Sequence, residues 1–312
     1  MSLLVISFGA VVWDIIDGKE YLGGAPFNVA AHMAKQGCES YIITRLGKDI
    51  RGIRAIDEIV RMGVDPSFVQ TDLSYPTGTA MVTLTGQGIP AFEVPVAAFD
   101  FIEVDNDLLK KLAEQRFEVV CFGTIEQRSE VTRKSLYQVL DVLNTSHVFY
   151  DVNIRLGFYP EKIIRESMNR CTIVKMNDSE MELVSKCLYG RSVPEKEFAA
   201  LVSRDFLIET VCITKGEDGC TVYHRGRYEV CPGHKVKVAD TVGSGDAFSA
   251  AFLRDYIQTG DPFKSAPLGN IMGAYVASKS GAVPDYTEDI KRQAGIPWKD
   301  INKKYENKVQ LI

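Results

Sequence analysis

The chain has 312 residues, 46% of them hydrophobic, which is enough for a sizeable core, and it carries a formal charge of −5 at pH 7. That acidic balance, with no run of basic residues interleaved with aromatics, excludes broad electrostatic binding to nucleic acid, so any phosphate site must be local. The seven cysteines form no CxxC pair, which points to reduced thiols in a cytoplasmic protein, with neither disulfides nor zinc.

The N-terminal "MSLLVISFGAVVWD" is apolar but has no basic leader or small-residue cleavage site. It meets Asp14 too soon to span a membrane and reads as a buried strand over 3–9. Asp14 is followed by "GGAPFNVAAHMAKQG", where Gly23 and Gly24 permit close backbone approach and Pro26 suits the first position of a helix over 26–36. Asn28 projects an amide from its first turn. An acid and an amide beside glycines can hold hydroxyls, although a turn residue and an ordinary helix start fit the same pattern.

A strand over 40–47 and a helix over 50–62 come next. The stretch 77–96 reads as an antiparallel hairpin turning at Gly86-Gln87-Gly88, with Thr79, Met81, Phe92 and Val94 on one face. With the turn at Asp17-Gly18 it predicts a small β lid formed by about 15–23 and 77–96. Such a lid can cover a bound ligand, and its edge can meet a second copy to make a homodimer.

Further strands at 118–124, 147–153, 172–177 and 210–216 alternate with helices at 129–143, 178–188 and 194–204. Near-continuous apolar strands bounded by helices predict a mostly parallel sheet covered on both faces, in one α/β domain over 1–312. Ligands of such sheets bind beyond the carboxyl ends of the strands.

Polar residues cluster at those ends. "DVNIR" sets Asp151, Asn153 and Arg155 on alternate positions, where Arg155 can reach a phosphate or sugar oxygen or pair with the aspartate. "NDSE" gives Asn177 and Glu180 the spacing of a capping box, yet one carboxylate is also enough for a magnesium-bound water. "TKGEDG" offers the Thr214 hydroxyl and the Gly216 amide, as a phosphate-facing loop or an ordinary turn would. The histidines at 32, 147, 224 and 234 have no triad or metal spacing and are assigned no chemistry.

The stretch "ADTVGSGDAFSAAFL", 239–253, is the most informative. Phe248, Ala251, Phe252 and Tyr256 recur at helical steps and Gly260 is a stop, so Asp246 falls in a first turn. A carboxylate there suits the helix dipole. Gly243, Ser244 and Gly245 before it leave backbone amides open to an anion, and an anion hole beside a carboxylate suits phosphoryl transfer to an alcohol. Neither the G-x-x-x-x-G-K-[ST] loop nor a full dinucleotide fingerprint occurs.

Together, "GGAPFNVAAHMAKQGCESYIITRLGKDIRG" and "DTVGSGDAFSAAFL" resemble the two signatures of the PfkB (ribokinase-like) carbohydrate kinases, and the chain is most similar to the fructokinases among them. The resemblance implies a ribokinase-like three-layer α/β sandwich and ATP-dependent phosphorylation of a sugar, fructose first, with magnesium and potassium. It casts Asp246 as general base beside the amides of Gly243, Ser244 and Gly245. Asp14, Gly24 and Asn28 match sugar positions, with Gly23 beside them. Asn177 and Glu180 match a phosphate–magnesium element, Thr214 and Gly216 the nucleotide loop, and Asn270 a place beside the adenine. Asp240 and the carbonyls of Val242, Val276, Lys279 and Gly281 match a monovalent-cation site.

"GGAP" lacks the lysine of ribokinases, whereas Glu126 in "FGTIEQRS" is more like the ribokinase glutamate. Ribose, 2-keto-3-deoxygluconate and nucleosides are therefore rival substrates. A catalytically silent sugar-binding regulator is the rival of another class, and the intact "GSGD" argues against it.

Overall fold

The computed structural model describes residues 3–16, 18–84, 90–155 and 157–296. They fall into two units: the first reaches to Phe117 and adds Glu126–Asn144, and the second takes Glu118–Ile125 and Thr145 onward.

In chain order the first unit contains β1 (Leu4–Phe8), β2 (Val12–Ile16), β3 (Lys19–Gly23), α1 (Ala25–Lys35), β4 (Glu39–Gly47), α2 (Ile50–Arg61), β5 (Val64–Asp65), β6 (Val69–Asp72), β7 (Gly78–Leu84), β8 (Pro90–Glu93) and α3 (Asn106–Ala113). After β9 (Arg116–Phe122), which leads into the second unit, the chain returns to the first for α4 (Glu130–Val142). The second unit then holds β10 (Asn144–Asp151), α5 (Glu161–Met168), β11 (Ile173–Asn177), α6 (Asp178–Tyr189), α7 (Glu195–Phe206), β12 (Thr210–Thr214), β13 (Cys220–His224), β14 (Arg227–Cys231), α8 (Ser244–Thr259), α9 (Pro262–Ala277) and α10 (Glu288–Gln293).

In the first unit β1 pairs parallel with β4, which pairs parallel with β5 and β6, and α1 and α2 pack on β4. In the second the order is β9-β10-β11-β12-β13-β14. The step from β10 to β12 is parallel and the last two strands are antiparallel. Helices α6 and α7 pack on the parallel strands, and α8 lies along α9. Ala247, Ala251, Met272 and Val276 form an apolar core there with Ile290 of α10.

The expected β lid corresponds to a second sheet, ordered β3-β2-β7-β8. The expected turns at Gly86-Gln87-Gly88 and at Asp17 lie outside the described residues, as does the Phe92 side chain. Register corrects the expected face. Met81 pairs with Glu93, while Val94 packs against Val12, Ala80, Ala97 and Phe99, on the face opposite Met81. That inner face also carries Asp14, two residues from Val12 and paired with Ala80. The other face carries Trp13, whose indole donates to the Arg51 carbonyl of α2 at 3.0 Å.

Two polar knots root this sheet. Arg128 forks onto both oxygens of Asp100 at 2.7 Å and donates to the Val94 and Pro95 carbonyls after β8. Asp49 caps α2 by accepting from the Gly52 amide at 2.7 Å, and it also accepts from the Thr77 amide and hydroxyl just before β7, both at 2.8 Å.

Burial of Asp49 works against its charge, but the bonds from Thr77 and Gly52 outweigh it and hold the carboxyl below its ordinary value. Asp49→Ala strands those donors and is expected to cost about 1–3 kcal/mol in urea unfolding. The stability that the ionised cap contributes is complete above the ordinary carboxylate range and lost as pH falls through the lowered folded value, so the gap between wild type and variant closes in acid.

Candidate active site

In the first unit, carboxylates sit where glycines leave room. A Cβ on Gly23, the last residue of β3, would meet the Asp14 carboxylate, so only glycine lets the acid lie against the strand that precedes α1. Gly24 caps α1, and Asn28 is buried in the first turn, its backbone N–H donating to the Gly24 carbonyl at 2.8 Å. Glu126 is 1% exposed, and a Cβ on Gly9 would lie 2.6 Å from its Oε1 and 2.8 Å from Pro26 Cγ. This glutamate therefore reaches the end of β1 beside the start of α1. Asp14, Gly23, Gly24 and Asn28 thus lie along the chain from β2 into α1, and Glu126 approaches the end of β1 beside Pro26.

In the second unit, α8 starts with Gly243 at φ 78, a left-handed conformation that glycine adopts without strain, and its Cα faces the Ala282 backbone so closely that a side chain would collide. The Ser244 amide and hydroxyl both bond the Thr241 carbonyl, at 3.2 and 2.8 Å. Ser244 is therefore occupied in shaping the turn, and the amides after it start the helix with no side-chain cap. Asp246 is 9% exposed in that first turn.

Parallel register assembles the strand ends of the second unit, with Asp151 opposite Lys175 and Asn177 opposite Thr214. Asn177 Oδ1 accepts from the Glu180 amide at 2.8 Å and Glu180 Oε2 from the Asn177 amide at 2.9 Å, so the capping box is formed. Glu180 Oε1 accepts from the Ile154 amide at 2.9 Å, aimed by Asn153 at φ 36. Burial, then Asp151, pushes the Glu180 carboxyl up, and Lys175 and the two amides pull against that rise. Gly216 is exposed after Thr214, with open space where a side chain would stand. Asn270, buried in α9, donates to the Pro232 and Cys231 carbonyls at 3.0 and 3.3 Å, tying down the end of β14.

Residues 239 and 240 bond the Ala277 carbonyl at the end of α9, and Asp240 Oδ1 accepts from the Val242 amide at 3.0 Å. Val276 lies in the last turn of that same helix, with Lys279 and Gly281 just beyond it. A carboxylate beside a helix C-terminus suits a cation. Arg155 is exposed, with its guanidinium on the neighbouring Ile154 carbonyl at 3.2 Å. The Asp151–Arg155 pairing that the sequence left open gives way to Asp151–Lys175.

Lys175 is the residue that sequence reasoning passed over. It is 7% exposed, and its ammonium bonds both Asp151 oxygens at 3.0 and 3.1 Å. Burial works against its charge, but Asp151, Glu180 and Asp246 outweigh that and raise its pKa. The signal was a lone charge inside the apolar "TIVKMN", since a cation in a buried strand needs a partner.

The family model "pfkB family carbohydrate kinase" matches residues 6–289. The chain belongs to this family, and it is a phosphotransferase acting on a sugar hydroxyl. It is 27% identical to a probable fructokinase-5 of Arabidopsis thaliana, over 90% of this chain and 93% of that one. It is also similar in fold to a Vibrio cholerae fructokinase solved with fructose, ADP and potassium ion (TM-score 0.77, 23% identity, 90% and 94% covered). A 2-dehydro-3-deoxygluconokinase from Thermotoga maritima matches with TM-score 0.80 at 19% identity, covering 94% and 99%. These neighbours place the chain in the ribokinase-like α/β fold. Among the described residues no helix is long and apolar enough to cross a membrane.

Each Glu180 oxygen accepts one backbone amide, whereas a glutamine has one acceptor oxygen for the two. Glu180→Gln is expected to leave either Ile154 or Asn177 facing an NH2 group and to cost about 1–3 kcal/mol, read as a lowered Tm.

Proposed function

We propose that the protein is an ATP-dependent kinase of D-fructose, forming fructose 6-phosphate and ADP. The observation that carries this is Asp246, a buried acid in the first turn of a 16-residue helix whose start, Gly243-Ser244-Gly245, is glycine-rich and has no side-chain cap. Asp246 accepts the proton of the attacking hydroxyl, and the amides at the helix start hold the phosphoryl oxygens as charge develops on them. Asp14, Asn28 and Glu126 hold sugar hydroxyls, Arg155 a further sugar oxygen, and the inner face of the β3-β2-β7-β8 sheet, which bears Asp14, acts as the lid that excludes water.

Thr214, Gly216, Asn177 and Asn270 are assigned to the nucleotide. Among the described residues no group of three or more His, Cys, Asp or Glu could hold a metal, and a magnesium ion shared between nucleotide phosphates, waters and a single carboxylate fits the residues present. Glu180, with a lone pair left on each oxygen, can then accept from a water of that ion. Magnesium bound so would neutralise phosphate charge. Potassium is assigned to Asp240 and the carbonyls of Val242, Val276, Lys279 and Gly281, where it would order the turn before α8. Turnover should therefore rise with potassium, and equal rates in potassium and in a cation-free organic buffer would remove that assignment.

Fructose is preferred because full-length relatives carry the name fructokinase. A 2-keto-3-deoxygluconate kinase is the second reading, supported by the Thermotoga maritima fold match, while the buried Glu126 speaks for ribose as a further rival. ADP release measured across fructose, ribose, mannose, adenosine and 2-keto-3-deoxygluconate decides, with the highest kcat/KM expected for fructose. In the same assay Asp246→Asn is expected to lower kcat by ~10²–10⁴-fold. Near wild-type turnover in that variant would overturn the base assignment.

A further inference from the structure

Lys175 has no role in the reaction as described so far, and its surroundings give it one. A buried ion pair is weak evidence for stability, because apolar residues of similar volume often serve as well or better. This pair lies where β10 and β11 end, with Glu180 and Asp246 both acting on the ammonium. Three carboxylates therefore share the field of this cation.

Gly245 is the independent observation. A Cβ there would lie 3.0 Å from Lys175 Nζ and 3.9 Å from its Cε, with no other atom within 4 Å apart from the neighbouring residues and the local α8 backbone. Beside Gly245 the nearest wall, apart from its chain neighbours Ser244 and Asp246, is thus the Lys175 ammonium. Asp151, at 3.0 and 3.1 Å, takes up at most two of the three ammonium protons, so one donor remains for a ligand. A buried ammonium beside the uncapped start of a helix makes a place for a multiply charged oxyanion.

We propose that Lys175 is a catalytic residue that binds the phosphoryl group in transfer, and that Asp151 is the positioning residue that holds its ammonium in place. This rests on the kinase reading of the same site. As the bond from phosphorus to the β,γ-bridging oxygen breaks, its electron pair stays with the departing nucleoside diphosphate. The sugar oxygen forms the new bond to phosphorus, and its proton goes to Asp246. Lys175 offsets the negative charge on the non-bridging oxygens throughout. Gly245 is then needed because any side chain there would stand between the ammonium and the phosphoryl group.

The test compares wild type with Lys175→Met and with the double variant Lys175→Met/Asp151→Asn, which removes the uncompensated buried carboxylate. Kinetics are measured alongside calorimetric binding of ADP alone and of ADP with aluminium fluoride. A folded variant is expected to lose ~10²–10³-fold in kcat with the sugar KM unchanged, as when one preorganised donor is removed. It should also keep its affinity for ADP and lose the tightening that aluminium fluoride brings. Wild-type turnover in either folded variant overturns the proposal. Failure of both to fold makes the pair structural and overturns it too. If wild type itself phosphorylates none of the five candidate substrates, the kinase reading falls separately. Lys175 is then judged by aluminium fluoride binding, and equal tightening in wild type and variant overturns its role.

Discussion

Parallel pairing of β10, β11 and β12 sets Asp151 beside Lys175 and Asn177 beside Thr214, and the chemistry of the second unit depends on that register. A slip of one residue would turn Lys175 to the other face of the sheet and leave Asp151 buried without a cation. The Asn177–Glu180 capping box follows from the same placement, because β11 ends at the residue that caps α6. Glu180 is thereby held under the end of β10, where it receives the Ile154 amide. One backbone alignment thus positions a lysine and two carboxylates, and places an exposed loop start after Thr214.

In the first unit the organising device is missing volume rather than register. Gly23 admits the Asp14 carboxylate and Gly9 admits that of Glu126, so two acids approach the backbone on either side of the turn into α1. The four-stranded sheet bearing Asp14 is held at its roots by ionised groups, Asp49 on one side and the Arg128–Asp100 fork on the other. Both use buried or half-buried carboxylates whose bonds go to backbone as well as to side chains. Such contacts are directional, and they fix where β7 begins and where the chain after β8 turns back.

Much of the fold was legible because its strands are short apolar runs and its helices carry strong start signals. The strand expected at 172–177 appears as Ile173–Asn177, and the helix expected at 50–62 as Ile50–Arg61 behind the Asp49 cap. The two-residue β5, the β13–β14 hairpin and α9 were not read. β5 is too short for periodicity to register, β14 has exposed and half-buried residues throughout, and α9 is apolar around most of its circumference. The face of the expected hairpin was misread because alternation along one strand does not say which residue opposes it on the next. Register places Glu93, not Val94, beside Met81.

The sequence by itself determined the class of protein: two glycine-rich helix starts, one leading to Asn28 and the other to Asp246, resemble the two signatures of the family whose model matches the chain. It also determined the α/β alternation, since apolar period and helix caps are properties of short segments. Only the tertiary structure decided which acid meets which base. Asp151 had Arg155 four residues away as a candidate partner and took Lys175, 24 residues on, because adjacent parallel strands bring together residues that are remote in sequence. Gly245 likewise reads in sequence as room for a ligand, and only the fold reveals that the wall of that room is an ammonium group.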